Sequence, residues 1–303
     1  ISATIADLNS ATMTLMGPQP AETSIETIEG PESPEIEIHS LIPETAERFP
    51  WAGHLGTQLV GQVADQIAQR NTSLVFTNTR SQAEQWYQHL LGERPEWAGQ
   101  IAVHHGSLDP DVRRWVETQL AEGTLRAVVC TSSLDLGVDF PEVDQVFQVG
   151  SPKGVGRLIQ RAGRSGHRPT ASSRLVFVPT HAFELIELTA AKQAIEERLI
   201  EKRVAVKQPL DVLAQHVVTL ACGDGYTQDE LYAEITTTHA YQNLSREQWE
   251  WVLDFAHRGG STLDAYPDYK RITETDGKWT IASRAMARRQ RMSIGTISSD
   301  AML

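Results

Sequence analysis

From about residue 59 to 190, short apolar runs alternate with segments whose apolar positions recur every three or four residues. That pattern predicts strands interleaved with amphipathic helices. TQLVGQVADQIAQR at 57–70 reads as a helix leading into the strand Ser73-Leu74-Val75-Phe76-Thr77. RSQAEQWYQHLL gives the next helix and IAVHH the next strand. Asp109 supplies a side-chain cap and Pro110 a preset φ, opening the helix DVRRWVETQLAEG. RAVVCT suits a strand buried on both faces; VDQVFQV and RLVFVP follow, then a long helix over about 181–202. These elements predict an α/β domain with a parallel sheet, whose right-handed crossovers gather the strands' carboxyl ends on one ligand-binding edge.

The flanks differ. SATIADLNSATMTLM looks helical, and 17–35 is rich in Pro, Glu and Ser, as a linker would be. Beyond about 206, Thr227-Gln-Asp-Glu230 and Ser245-Arg-Glu-Gln248 read as capping boxes, each opening a helix. Gly259-Gly260 stops the second, and Asp276-Gly277 joins two strands as a hairpin turn. Helix, helix, hairpin is the layout of a winged helix; the bland alternative is a helical accessory domain that binds nothing. The expected division is 1–35, 36–205 and 206–303, the last with room for the start of a further domain.

Composition narrows the class. At 303 residues, 40% hydrophobic and 22% charged, the chain is an ordinary globular protein too long for one compact core. Its opening residues do not read as a secretory signal, and no run of about 18 apolar residues that would span a membrane occurs in the sequence. Cys130 and Cys222 cannot build a disulfide framework or a thiolate cage, and predict a reducing, cytoplasmic setting. The opening ISATIADLNS, without Met, predicts a piece of something larger. The net charge of −12 argues against nucleic-acid binding through a bulk positive field, so any such binding must use local patches. Arg157, Arg161, Arg164 and Arg168 form one such patch, with no acid among them; a solvated helix face is the bland reading.

Other residues invite chemistry less strongly. His104 and His105 are neighbours on a strand and point to opposite faces, which disfavours a shared metal; neither HExxH nor CxxC occurs. Trp249 and Trp251 fall on faces of a helix about 200° apart, so one is expected in the core.

Gln160, Arg161 and Arg164 share one helical face, and two guanidiniums aimed together suit a triphosphate or a phosphodiester backbone. The surrounding SPKGVGRLIQRAGRSGHR at 151–168 resembles motif VI of superfamily 2 helicases, QRxGRxGR. The other motifs stand in order. Ser2-Ala3-Thr4 resembles motif III, LVFTNTR at 74–80 motif IV, HHG at 104–106 with Arg113 motif IVa, and TSSLDLGVDFPEVDQV at 131–146 motif V. RFPWAGHLG, FTNTRSQAEQWY and CTSSLDLGVDFP are similar to the Lhr family of large helicase-related proteins, nearest its branch of ligase-associated DEXH-box helicases. THAY at 238–241 and RMSIGTISSDA at 291–301 extend the resemblance over nearly the whole chain.

Neither GxxxxGK[ST] nor DExH is present, so the residues that usually hold the triphosphate and Mg²⁺ lie elsewhere. The resemblance implies the end of a first RecA-like domain, then a second RecA-like domain, then a winged helix. It makes Arg164 the arginine that reaches the γ-phosphate, with Arg161 placing it or touching phosphate and Gln160 beside them. Gly137 and Asp139 would lie near the nucleotide ribose. Arg80, Arg113, Thr131 and Ser132 would grip nucleic-acid phosphates, and Ser2 and Thr4 would couple the two RecA-like domains. His167 stands where the motif wants a third arginine, and Pro110 where related helicases often carry Gln. The implied parent uses ATP and Mg²⁺ to move 3′-to-5′ along single-stranded DNA, with an RNA–DNA hybrid as a second substrate. DNA repair is its implied setting, and an ATP-dependent ligase and a nuclease its implied partners. An RNA-directed helicase and a non-enzymatic nucleic-acid-binding module are the rival readings.

Overall fold

Six strands line up in the order β1-β6-β5-β2-β4-β3, every neighbouring pair parallel, in a computed structural model of the chain. The structure describes residues 4–17, 25–28, 35–43, 55–135, 143–165, 172–260, 262–263, 265–266 and 269–293. In chain order the sheet domain contains β1 (Ile36–Ser40), α2 (Val60–Ala68), β2 (Ser73–Phe76), α3 (Arg80–Glu93) and β3 (Ile101–His104). It continues through α4 (Pro110–Ala121), β4 (Ala127–Cys130), β5 (Gln145–Val149), α5 (Val155–Ala162), β6 (Ser173–Val178) and α6 (Phe183–Glu196). A preceding helix, α1, spans Leu8–Met16.

Period-two alternation divides the strands' side chains between two cores. Val75, Val129, Phe147 and Val176 pack under α2 and α3, with Ile67, Trp86 and Leu90. Leu74, Phe76, Val128, Val146 and Leu175 pack on the opposite face with Leu120 of α4 and Leu158 of α5. Every residue of β2, β4 and β5 is buried, which is why their sequences read as unbroken apolar runs. Asp109 caps α4 as expected, its carboxylate accepting from the Asp111 N–H at 2.8 Å.

β1 is an addition to the expected scheme. It pairs with β6 from Ile36 opposite Ser173 to Ser40 opposite Phe177. Its Ile36 and Ile38 lean on the second core while Glu37 and His39 face out, so five residues of alternating character make the sheet edge.

The chain divides into two compact units, one of residues 1–6 and 28–202, the other of 7–27 and 203–303. α1 therefore groups with the second unit. There, a Cβ on Gly17 at the end of α1 would lie 2.5 Å from the Thr237 carbonyl oxygen. The second unit also holds α7 (Leu210–Ala221), α8 (Gln228–Thr236), α9 (Arg246–Arg258), the hairpin β7 (Ile272–Thr275) and β8 (Lys278–Ile281), and α10 (Arg284–Ser293). Among the described residues beyond 206, α7, α8 and α9 precede the hairpin, one helix more than the two expected. Leu213 and Val217 of α7 share a core with Leu231, Trp249, Val252 and Ile272.

Local chemistry sets the ends of these elements. Ser245 and Gln248 form the complete reciprocal capping box, whereas the Thr227 hydroxyl donates to the Glu230 carboxylate at 2.6 Å. Asp276 and Gly277 both take positive φ, 52° and 77°, the turn that matches hairpin twist. Trp279 exchanges backbone hydrogen bonds with Tyr226 at 2.8 and 3.2 Å, an isolated antiparallel bridge beside the hairpin. Trp249 is the buried tryptophan; Trp251 is exposed and stacks on Phe255 at 5.4 Å. No helix among the described residues is long and apolar enough to cross a membrane.

Candidate functional site

Two clusters collect the residues singled out by sequence. The first is built on α5. Gln160 Nε2 donates to Thr4 Oγ1 at 2.6 Å, joining the motif III and motif VI stretches. The next residue, Arg161, points inward and is 1% exposed. Its Nε and Nη2 donate to the two carboxylate oxygens of Asp135 at 2.8 and 3.4 Å, and its Nη1 to Gln148 Oε1 at 2.5 Å. The guanidinium carbon lies 4.6 Å from the Phe76 ring centre. Arg161 would have to leave these partners to touch a phosphate; its contacts suit the other expected role, placing its neighbour.

Asp135 is the hub. Arg164 Nη2 donates to its backbone carbonyl at 2.8 Å, and Arg157 Nε lies 3.7 Å from its carboxylate. Asp135 is 7% exposed, so its charge is compensated by arginine and not by water. Arg164 is half-buried. Burial lowers its pKa, opposed by the Asp135 charge. Asp135 and Gln148 were not among the expected site residues, although Asp135 lies inside the motif V string. Burial pushes the Cys130 thiol up, which keeps it an inert neighbour of this cluster.

The second cluster sits at the carboxyl ends of β2, β4 and β3, three adjacent strands. Arg80 opens α3 directly after β2, behind the N-cap Thr79, and its Nη1 donates to the Ser107 hydroxyl just past β3. Thr131 follows β4 and is the N-cap of a 3-10 turn at Ser132–Leu134, with no side-chain cap bond. Its N–H donates to the His104 carbonyl at 3.2 Å. Ser132 is exposed, while Ser133 turns in to His104 Nδ1 at 2.7 Å. Arg113 lies on α4, and its Nε is buried without a hydrogen-bond partner among the described residues. The arrangement offers a cation, hydroxyls and amides along one sheet edge, the donor set that phosphate oxygens need.

His104 and His105 go to different partners: His104 Nε2 meets Glu117 at 3.0 Å and His105 Nε2 meets Glu84 at 3.2 Å. Among the described residues no group of three or more His, Cys, Asp or Glu is placed to hold a metal ion. Ser2, Gly137, Asp139, His167 and Arg168 lie outside the described residues.

Known proteins resemble this chain in sequence and in fold. The helicase conserved C-terminal domain matches residues 57–168, and the winged-helix domain of large helicase-related protein matches 193–303. The ATP-dependent helicase Lhr-Core protein 2 of Thermococcus barophilus is 34% identical over 89% of this chain, which covers 31% of that protein. The ATP-dependent helicase Lhr-Core of Methanocaldococcus jannaschii is 31% identical over 88% of this chain, again covering 31% of the relative. The chain thus spans about a third of the length of these curated relatives. The structure of Mycobacterium smegmatis helicase Lhr bound to ssDNA and AMP-PNP matches with a TM-score of 0.86 at 28% identity, covering 99% of this chain and 38% of that one. A parallel six-stranded RecA-like sheet matched by the helicase C-terminal domain, followed by an Lhr-type winged helix, places the chain in the Lhr family, as the C-terminal region of its helicase core.

Proposed function

We propose that the chain is the C-terminal part of the motor core of an ATP-dependent helicase that moves 3′-to-5′ along single-stranded DNA. The observation that carries this is the convergence on α5: Gln160 meets Thr4, and Arg161 and Arg164 both meet Asp135. With Thr4 read as the end of the first motor domain and α5 as nucleotide-facing, this bond would couple the two. The ssDNA and AMP-PNP bound by the Mycobacterium smegmatis relative support DNA and ATP as ligands.

The residues present fit part of an ATP site. Arg164 is a half-buried guanidinium whose Nη2 donates to the Asp135 carbonyl, and a guanidinium at that place is a suitable cation for a terminal phosphate. Gly137 and Asp139 would face the ribose, and Mg²⁺ would be held mainly by groups outside this chain. ATP supplies the phosphoryl group whose transfer drives movement. Arg161 holds its half of α5 rigid through Asp135, and Arg164 offers charge to the transferring group. Arg80, Arg113, Thr131 and Ser132 would hold the strand by its phosphates, so they set grip and not sequence preference. Ser2 and Thr4 would couple the two motor domains. DNA repair, and a ligase and nuclease as functional partners, rest on the ligase-associated resemblance, and a cytoplasmic location on the two unpaired cysteines.

The test is ATPase and unwinding by the full-length protein on 3′-tailed DNA, 5′-tailed DNA, RNA–DNA hybrid and RNA. Turnover stimulated by single-stranded DNA with unwinding only of 3′-tailed duplexes is expected. Stimulation by RNA alone would overturn the DNA reading. This chain alone is expected to hydrolyse no ATP with excess single-stranded DNA, because it lacks the phosphate loop. DNA-stimulated turnover by the chain alone would overturn its assignment as a partial motor.

A further inference from the structure

The helix that carries Gln160, Arg161 and Arg164 begins without a cap of its own. SPKGVGR places Gly154 at the N-cap, where Ser, Thr, Asp or Asn would normally satisfy the first free N–H groups. The missing acceptor comes from 46 residues away. Glu201 accepts from the Val155 N–H with one carboxylate oxygen, and from the Gly156 N–H with the other at 3.1 Å. Its negative charge sits at the positive end of the helix dipole.

The backbone around this contact is shaped to admit it. Gly154 takes φ 143°, and a Cβ there would lie 3.0 Å from Glu201 Oε1. A Cβ on Gly156 would lie 3.2 Å from Ile200 Cγ2 and 3.8 Å from Thr4 Cβ. The two glycines therefore make room for a strap, residues 198–202, laid on the start of α5. The strap is turned back from α6 by Arg198 at φ 56°, with the Leu199 N–H returning to the Ala194 carbonyl at 2.7 Å. Glu201 lies on the strap two residues before the second compact unit resumes at Arg203.

We propose that Glu201 is a positioning residue for ATP hydrolysis, fixing α5 so that Arg164 is presented at the correct height. This rests on the reading of Arg164 given above. α5 has two turns, and Arg164 lies just past its end, so a shift at Val155 is carried to the guanidinium with little damping.

The test compares Glu201→Ala, Glu201→Gln and Arg164→Lys in the full-length protein. Glu201→Ala should lower DNA-stimulated kcat by about 10- to 100-fold, the cost of misplacing a catalytic group by about 1 Å, with KM for ATP and single-strand affinity unchanged. Glu201→Gln keeps one acceptor oxygen and should recover part of the loss. Amide hydrogen exchange at Val155 and Gly156 should quicken in Glu201→Ala and less so in Glu201→Gln, a readout independent of turnover. Wild-type kcat in Glu201→Ala beside a collapsed Arg164→Lys would overturn the positioning role and leave the reading of Arg164 standing. Retained turnover in Arg164→Lys would overturn that reading instead. In that case unchanged exchange at Val155 and Gly156 in Glu201→Ala would overturn the capping role as well.

Discussion

Gln160 and Thr4 are 156 residues apart in sequence and 2.6 Å apart at their side-chain termini. Both belong to short motifs, neither of which predicts the other. If the bond transmits strain between motor domains, Thr4→Val and Gln160→Leu should each lower unwinding more than ATPase. The double variant should then lose no more than the worse single one, giving a coupling of about 1 kcal/mol in unwinding. Strict additivity would show that the contact carries nothing.

Arg161 and Arg164 should fail in different ways. Arg164→Lys keeps the charge and loses the planar fork, so hydrolysis should fall by about 10³-fold or more while single-strand binding persists. Arg161→Ala strands the Asp135 carboxylate in the core, and should destabilise the sheet domain by about 3–5 kcal/mol in urea unfolding. Equal stability of wild type and Arg161→Ala would contradict the buried-pair geometry.

His104 makes a pH prediction with a definite sign. Burial lowers its pKa from 6.5, with the Glu117 contact opposing. Between the folded and unfolded values the unfolded chain binds more protons, so stability rises with pH across that window. The contribution is complete above about pH 6.5 and is lost as pH falls through the folded value. Urea midpoints should therefore drop below pH 6.5 more steeply for wild type than for His104→Gln. Parallel curves would remove His104 as the cause.

Arg80 separates grip from chemistry. Arg80→Ala should weaken single-strand binding equally on every DNA sequence and flatten the salt dependence by about one unit. Thr131→Ala/Ser132→Ala should raise the DNA concentration needed for stimulation without changing the salt slope, since hydroxyls release no counterions. An unchanged slope with unchanged affinity in Arg80→Ala would make Arg80 a partner of Ser107 and nothing more.

Much of the sheet was legible because β2, β4 and β5 are buried on both faces and must be apolar throughout. β1 was not, because an edge strand with one wet face needs only Ile36 and Ile38, and its Glu37 and His39 resemble the linker before it. α7 is weakly marked: Leu213, Val217 and Ala221 recur at helical spacing, but Pro209 gives its start no side-chain cap. The motif arginines were visible as a set, but their division of labour was not. Whether a guanidinium faces in or out depends on Asp135 and Gln148, which come from separate segments. The cap on α5 was hidden for the same reason: its donor groups are backbone, and its acceptor is an unremarkable glutamate beyond the motif.

The strand order has a consequence for dissecting the molecule. The stretch matched by the helicase C-terminal domain, 57–168, contains β2 to β5 and stops before β6. Yet β6 is the strand that covers β5, and β1 in turn covers β6. A piece excised at those limits would leave β5, with all five of its residues normally buried, as a bare flat rim of unpaired N–H and C=O groups. Such a rim templates chain-to-chain association, so the excised piece should aggregate where one carrying residues 35–202 stays monomeric.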